Sequence, residues 1–220
     1  MPSLFTDRRG GVSRAPYDSL NLALHVGDDS DDVRRNRASL PITASAVQFM
    51  NQTHGDVVAT IDSYSKIDPS CDALITTTPG LALAVLVADC IPLLLSSPTV
   101  IAAVHVGRKG LVNGIAVKTI NQMRALGATS IHAQLGASIC GECYEVPADM
   151  AQEVSLIHPH ALSQTKALTP ALDLPRALIA DLEKSGVSYE AITDCTLEND
   201  SYFSFRRESI TGRFAGVIWI

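Results

Sequence analysis

Two β-prone apolar runs, Leu81–Val87 and Thr99–Val106, constrain this chain more than any other feature. Neither alternates apolar with polar residues, so each predicts a strand covered on both faces. Pro79-Gly80, Ser97-Pro98 and Gly107 bound them, which is the punctuation expected at strand ends. Burying both faces of such strands needs further layers on each side. A chain of 220 residues, 46% hydrophobic and 18% charged, is large enough to supply them.

Elsewhere the period changes. Val112, Ala116, Ile120, Met123 and Leu126 fall at helical spacing within Leu111–Leu126, and Gly127 supplies the stop. Ala148–Ile157 reads as a helix ended by Pro159. Asp173–Ser185 reads as another, with Asp173 as N-cap and Pro175 in its first turn. A short helix is expected over Asp31–Leu40, capped by Ser30 or Asp31, with Arg34, Arg35 and Arg37 towards its end. Asp18–Asp32 reads as loop with one short strand. Further strands are expected at Ile131–Leu135, Ser188–Thr193, Ser201–Phe205 and Phe214–Ile220. Strands and helices without a βαβ rhythm predict an α+β fold. No repeat or linker divides residues 1–220, so one domain is expected.

The function classes narrow next. A net charge of −6 argues against nucleic acid as a partner. It leaves room for a small anion held by a local pair of arginines. The stretch Leu81–Leu95 is broken by Asp89-Cys90 and Pro92, too short and interrupted to span a bilayer. The N-terminus lacks the apolar core of a signal peptide, and the five cysteines are odd in number. Both observations favour reduced thiols and a cytoplasmic protein. Nothing points to a dinucleotide or P-loop site.

Three residues are candidates for a metal site. Cys90 follows Asp89 where an apolar strand pair is interrupted, and a charge there is costly unless paired or near solvent. His105 ends the run Ile101–Val104, and His54 lies in Gln52-Thr53-His54-Gly55-Asp56. Taken singly, each has a second reading. Asp89 caps a turn, Cys90 acts as a small buried hydrophobe, His105 is a hydrogen-bonded core histidine and His54 a turn residue. Taken together, two imidazoles and a thiolate suit zinc and leave a fourth position open, as catalytic zinc sites do. Phe203-Ser204-Phe205-Arg206-Arg207 with Thr211-Gly212-Arg213 offers cations for an anion clamp, or a solvated rim. Cys140-Gly141-Glu142-Cys143 reads as a loop motif without metal, because no second Cys-x-x-Cys exists to complete a site.

The order of these segments resembles the YfiH-like laccase-domain family. Phe5–Ser13, Pro16–Leu22, His25-Val26-Gly27-Asp28-Asp29, Gln52-Thr53-His54-Gly55 and Ala88-Asp89-Cys90-Ile91-Pro92 match its motifs in sequence. So do Ala102-Ala103-Val104-His105, Tyr144-Glu145-Val146 and Ser204-Phe205-Arg206-Arg207 with Thr211-Gly212-Arg213. The resemblance implies a four-layer α-β-β-α sandwich with mixed sheets and zinc on His54, Cys90 and His105. It implies phosphorolysis of adenosine, inosine, guanosine and methylthioadenosine, and deamination of adenosine. Purine nucleoside and phosphate are then the partners, and no protein partner is indicated. One departure stands out: Val106-Gly107-Arg108-Lys109-Gly110 replaces the family's Ala-Gly-Trp-Arg-Gly, and Lys109 keeps the charge without a bidentate fork. Gly136-Ala137 replaces its Gly-Pro.

On this reading zinc would activate water for attack at C6 of adenine, with Asp89 or His25 moving protons. Lys109, Arg206 and Arg207 would contact phosphate, with His25 also at the substrate. Two rivals stand beside it. Copper, which Cys and His also bind, would support phenol oxidation, although a multicopper oxidase needs more histidines than the six here. A non-catalytic protein stabilised by zinc is the other.

Overall fold

Twelve strands and six α-helices succeed one another in the computed structural model, which describes residues 1–220. The strands are β1 (Ser3–Phe5), β2 (Ala46–Gln48), β3 (Val58–Thr60), β4 (Ala73–Thr76), β5 (Leu81–Val87) and β6 (Ile91–Ser96). They continue as β7 (Ile101–Val106), β8 (His132–Leu135), β9 (Leu162–Gln164), β10 (Pro170–Leu172), β11 (Ser188–Ala191) and β12 (Phe214–Trp219). The helices are α1 (Ser30–Ala38), α2 (Arg108–Val112), α3 (Ile115–Ala125), α4 (Ala148–Ile157), α5 (Leu174–Lys184) and α6 (Phe205–Glu208).

The two apolar runs become β5 and β7, every residue of both buried. They lie in different sheets. A four-stranded sheet runs β1-β12-β5-β2 and a six-stranded sheet runs β11-β8-β6-β7-β4-β3, each mixing parallel and antiparallel pairs. A small β9–β10 hairpin stands apart. Between the sheets, Leu83, Val85 and Val87 of β5 meet Leu94, Ile101 and Ala103, with Phe214 and Ile218. The alternate residues point the other way. Leu93, Leu95, Ala102 and Val104 pack under Leu111 and Ile115, Ile120, Leu178 and Leu182 of the helices. Ala82, Ala84 and Leu86 pack with Ala215, Val217 and Trp219 under Leu20, Leu22 and Phe49. Period-two packing on two apolar faces is why the runs show no alternation. Truncating Leu83 or Leu94 to Ala would cost about 2–5 kcal/mol.

The result is an α+β sandwich with mixed sheets. Its outer cover on the six-stranded sheet is helical. Over the four-stranded sheet the cover is the Leu20–Ala44 segment, which contains α1, where Arg37 lies 3.6 Å from the Phe49 ring and bonds the Leu22 carbonyl. No helix is long and apolar enough to cross a membrane.

Several expectations need correction. Leu111–Leu126 is two helices, because Gly114 at φ 73 breaks the chain between α2 and α3. Ser201–Phe205 is not a strand; Ser204 instead caps α6 by accepting from the Arg207 N–H. Asp18–Asp32 contains no strand, and α1 is capped one residue earlier than expected, by Asp29. The three- and four-residue strands β1, β3, β4, β9 and β10 carry too little pattern to announce themselves.

Candidate active site

The site grows from one buried carboxylate. Asp72 precedes β4 and is fully buried. Its oxygens accept from the backbone N–H groups of Thr53 (3.2 Å), His54 (2.9 Å) and Gly55 (2.7 Å) and from the Thr53 hydroxyl (2.8 Å). This wraps the Thr53–Gly55 turn round the carboxylate and leaves His54 at φ 57, a left-handed conformation that such bonding must over-determine. Gln52 fastens the same loop to β5, its amide exchanging bonds with Leu86 N and O at 2.9 and 2.8 Å. Asp72 also accepts from Nδ1 of His105 at 2.8 Å. An ionised carboxylate only accepts, so Nδ1 carries a proton towards Asp72 and Nε2 is the ring atom left to face a metal, which would displace any proton there.

Cys90 comes from the turn joining β5 to β6. Asp89, at φ 94, holds that turn. Its carboxylate accepts from the Thr196 hydroxyl and the Arg206 N–H, both at 2.7 Å, and its carbonyl accepts from Ile139 N. His54, Cys90 and His105 each offer a ligand atom, all within 4.8 Å of one another. The two imidazoles stand edge to face, 4.7 Å between centroids. Gly107 completes the cradle: a Cβ there would meet Cys90 Sγ at 3.1 Å, His54 Cδ2 at 3.6 Å and His105 Cε1 at 3.7 Å. Two imidazoles and a thiolate at this spacing fit a tetrahedral metal with one position open.

Electrostatics agree with a cation site. Burial alone would raise the Cys90 thiol, but the His105 charge and hydrogen bonds from both histidines bring it down to about 6. Burial alone would lower His105, but the Cys90 thiolate and the Asp72 carboxylate raise it to about 9. Burial would also raise Asp72, yet its hydrogen bonds, first that from His105, hold it far below the usual carboxylate range.

Above the three ligands opens a cavity of about 450 Å³, within the roughly 300–1,000 Å³ common for small-molecule sites. Arg108, Lys109, Arg206 and Arg213 line it beside Tyr144 and Phe205. Arg206 donates to the Glu145 carbonyl at 2.8 Å and lies 5.1 Å from the Tyr144 ring. Arg213 is tied to the carbonyls of Thr211 and Gly212, 5.8 Å from the Phe205 ring.

Residues 2–220 match a family model described as multi-copper polyphenol oxidoreductase laccase. The chain belongs to this family. A purine nucleoside phosphorylase of Streptomyces coelicolor is 45% identical over 98% of this chain and 94% of its own length. One from Corynebacterium glutamicum is 45% identical over 99% and 93%. Among solved structures, hypothetical protein YfiH of Bacillus licheniformis superposes with a TM-score of 0.88 at 28% identity, covering 99% of this chain and 92% of that one.

In this laccase-domain chain, most residues singled out in the sequence converge. His54, Cys90 and His105 meet, and Asp89, His25, Lys109 and Arg206 line the same cavity. Arg207 does not. Its guanidinium is turned into the protein, donating to the carbonyls of Thr196, Leu197 and Tyr202 and to Glu208. Arg213, five residues past the end of α6, takes a place on the wall instead. Asp72 and Gln52 gave no separate signal as functional residues. The clue for Asp72 was a charge at the entry to the apolar run Ala73-Leu74-Ile75, the same anomaly that drew attention to Asp89.

Proposed function

We propose that this chain is a zinc-dependent purine nucleoside phosphorylase that also deaminates adenosine. The supporting observation is a single cavity with His54, Cys90 and His105 gathered at its floor and four cations on its walls. The names of the Streptomyces coelicolor and Corynebacterium glutamicum relatives agree with the first activity. Adenosine, inosine, guanosine and methylthioadenosine are the expected nucleosides, with phosphate as co-substrate.

In phosphorolysis the C1′–N9 bond breaks, a C1′–O bond to phosphate forms, and the departing base takes up the proton that the attacking hydrogen phosphate gives up. Lys109, Arg108, Arg206 and Arg213 offset the phosphate charge and aim an oxygen at C1′. Tyr144 and Phe205 supply apolar surface that excludes water from the ribose. His25 is neutral near pH 7, because burial and then the charges of Arg213, Arg37 and His54 lower its pKa, so it accepts or relays a proton. Asp89, with each carboxylate oxygen already accepting an internal bond, orients Cys90 and Arg206. His54, Cys90 and His105 would hold a divalent metal, which would supply Lewis acidity and activate water for deamination at C6.

Two imidazoles and a thiolate bind copper as well as zinc; zinc is preferred because only His54 and His105 of the six histidines come within coordinating distance of Cys90, too few for several coppers. Five free cysteines suit a reducing compartment such as the cytoplasm. Incubation of the metal-loaded chain with adenosine tests the reading. Adenine that forms only with phosphate, and inosine formed without it, are expected, and both vanish in Cys90→Ala. Neither product would leave a zinc-stabilised binding protein; retention of both in Cys90→Ala would remove the metal from the mechanism.

A further inference from the structure

A second set of soft ligands lies outside the cavity. Cys140-Gly141-Glu142-Cys143 looked solitary in the sequence, but the fold brings Cys195 and Glu198 to it. The three sulfurs and a Glu198 carboxylate oxygen all lie within 4.8 Å of one another. Two zinc-bound thiolates at about 2.3 Å and tetrahedral angles stand about 3.8 Å apart, so the cluster has the dimensions of a coordination sphere.

The backbone explains why these four meet. After β8 the chain makes a tight turn in which Cys143 N and Tyr144 N both donate to Cys140 O, at 3.1 and 3.0 Å. After β11 it makes the same turn again, Glu198 N and Asn199 N donating to Cys195 O at 3.2 and 2.9 Å. Each turn presents residues i and i+3 on one side, giving Cys-x-x-Cys opposite Cys-x-x-Glu. A parallel bridge between Ser138 and Cys195 pins the two turns together, with Thr196 N donating to Ser138 O at 3.1 Å. The Cys140 N–H points at Cys195 Sγ, 3.4 Å away, the kind of donor that accompanies metal-bound sulfur.

We propose that Cys140, Cys143, Cys195 and Glu198 form a second, closed zinc site, structural rather than catalytic. Four protein ligands leave no position for substrate, in contrast to the three at the cavity. Thiolates dominate, which selects zinc over harder cations. The set would carry excess negative charge, and Lys166, donating to Glu198 Oε1 at 2.7 Å, offsets part of it while leaving Oε2 for the metal. The clip joins segments 55 residues apart, so it removes loop-closure entropy from the unfolded chain. Its neighbours reach the cavity. Ile139, beside Cys140, donates to the Asp89 carbonyl, and Thr196, beside Cys195, donates to the Asp89 carboxylate. The clip therefore fastens the wall on which Asp89 and Cys90 are mounted.

Elemental analysis of the chain purified under reductant tests this without reference to turnover. Wild type is expected to hold a second equivalent of zinc. Cys90→Ala loses the cavity metal alone, and Cys140→Ser with Cys195→Ser loses the other. Should the double variant fail to fold, cobalt(II) added to Cys90→Ala provides the readout. Intense sulfur-to-cobalt charge-transfer absorption is expected there, although the cavity thiolate is gone. A double variant retaining the full zinc content of wild type, or a Cys90→Ala chain showing no such absorption, overturns the proposal.

Discussion

Asp72 Oδ1 lies 2.8 Å from His105 Nδ1, and the same carboxylate collects the N–H of His54. One buried acid thus sets the orientation of one proposed metal ligand and the backbone of another. Replacing it by Asn keeps the size and removes the charge. Metal affinity of Asp72→Asn is expected to fall about 10–100-fold, the usual cost of losing such an outer partner. Chelator competition measures this, and an unchanged affinity would refute the role given to Asp72.

Gly107 separates packing of the ligands from folding of the chain. Its φ of −90° and ψ of 177° are open to any residue, so Ala there incurs no backbone strain. The added Cβ would crowd Cys90 Sγ at 3.1 Å while meeting both imidazoles at ordinary contact distance. Gly107→Ala should weaken metal binding several-fold while the metal-free protein melts within about 1 kcal/mol of wild type. Equal loss in the metal-free melt would show that the cradle is a folding feature.

These two residues show where sequence reading reaches and where it stops. β5, β7, α4 and α5 were legible because their burial pattern repeats over six or more residues. α2 and α3 merged into one expected helix because Gly114 interrupts the backbone without interrupting the apolar spacing. His54, Cys90 and His105 could be grouped by donor chemistry, since zinc ligands are few in kind. Asp72 could not, because its partners lie 17 to 19 and 33 residues away and a hydrogen bond leaves no periodic trace. A still longer separation, 55 residues, hid Cys195 from Cys140. Arg207 failed in the opposite way, for adjacent arginines on a short helix point in different directions.

That difference between neighbouring arginines and the exposed Lys109 yields a kinetic prediction. Lys109 lines the cavity, whereas Arg207 serves carbonyls of the Thr196–Tyr202 loop. Lys109→Ala should raise KM for phosphate by about 10-fold, the equivalent of one charged hydrogen bond, and Lys109→Arg should recover most of it. Arg207→Ala should leave that KM near wild type and lower the melting temperature. Steady-state rates with phosphate varied, alongside thermal melts, check both. A phosphate KM that responds to Arg207 and not Lys109 would reverse the assignment.

Glu208 supplies a pH test remote from the metal ligands. Arg8 reaches it at 2.7 Å from the opposite end of the chain, Arg207 at 3.1 Å, and the Thr211 hydroxyl donates to its other oxygen. Burial would raise its pKa, but the bonds from Thr211, Arg8 and Arg207 outweigh burial and hold it below the ordinary glutamate value. A carboxylate depressed in the folded state binds protons more readily when unfolded, so it stabilises above the unfolded value of about 4.3. That contribution shrinks as the pH drops below this value and is gone once the folded carboxyl protonates. Glu208→Gln should therefore melt below wild type at neutral pH, with the gap closing through the range under about pH 4. A gap that stays constant into acid would mean that the side chain acts through shape and hydrogen bonding, with its charge irrelevant.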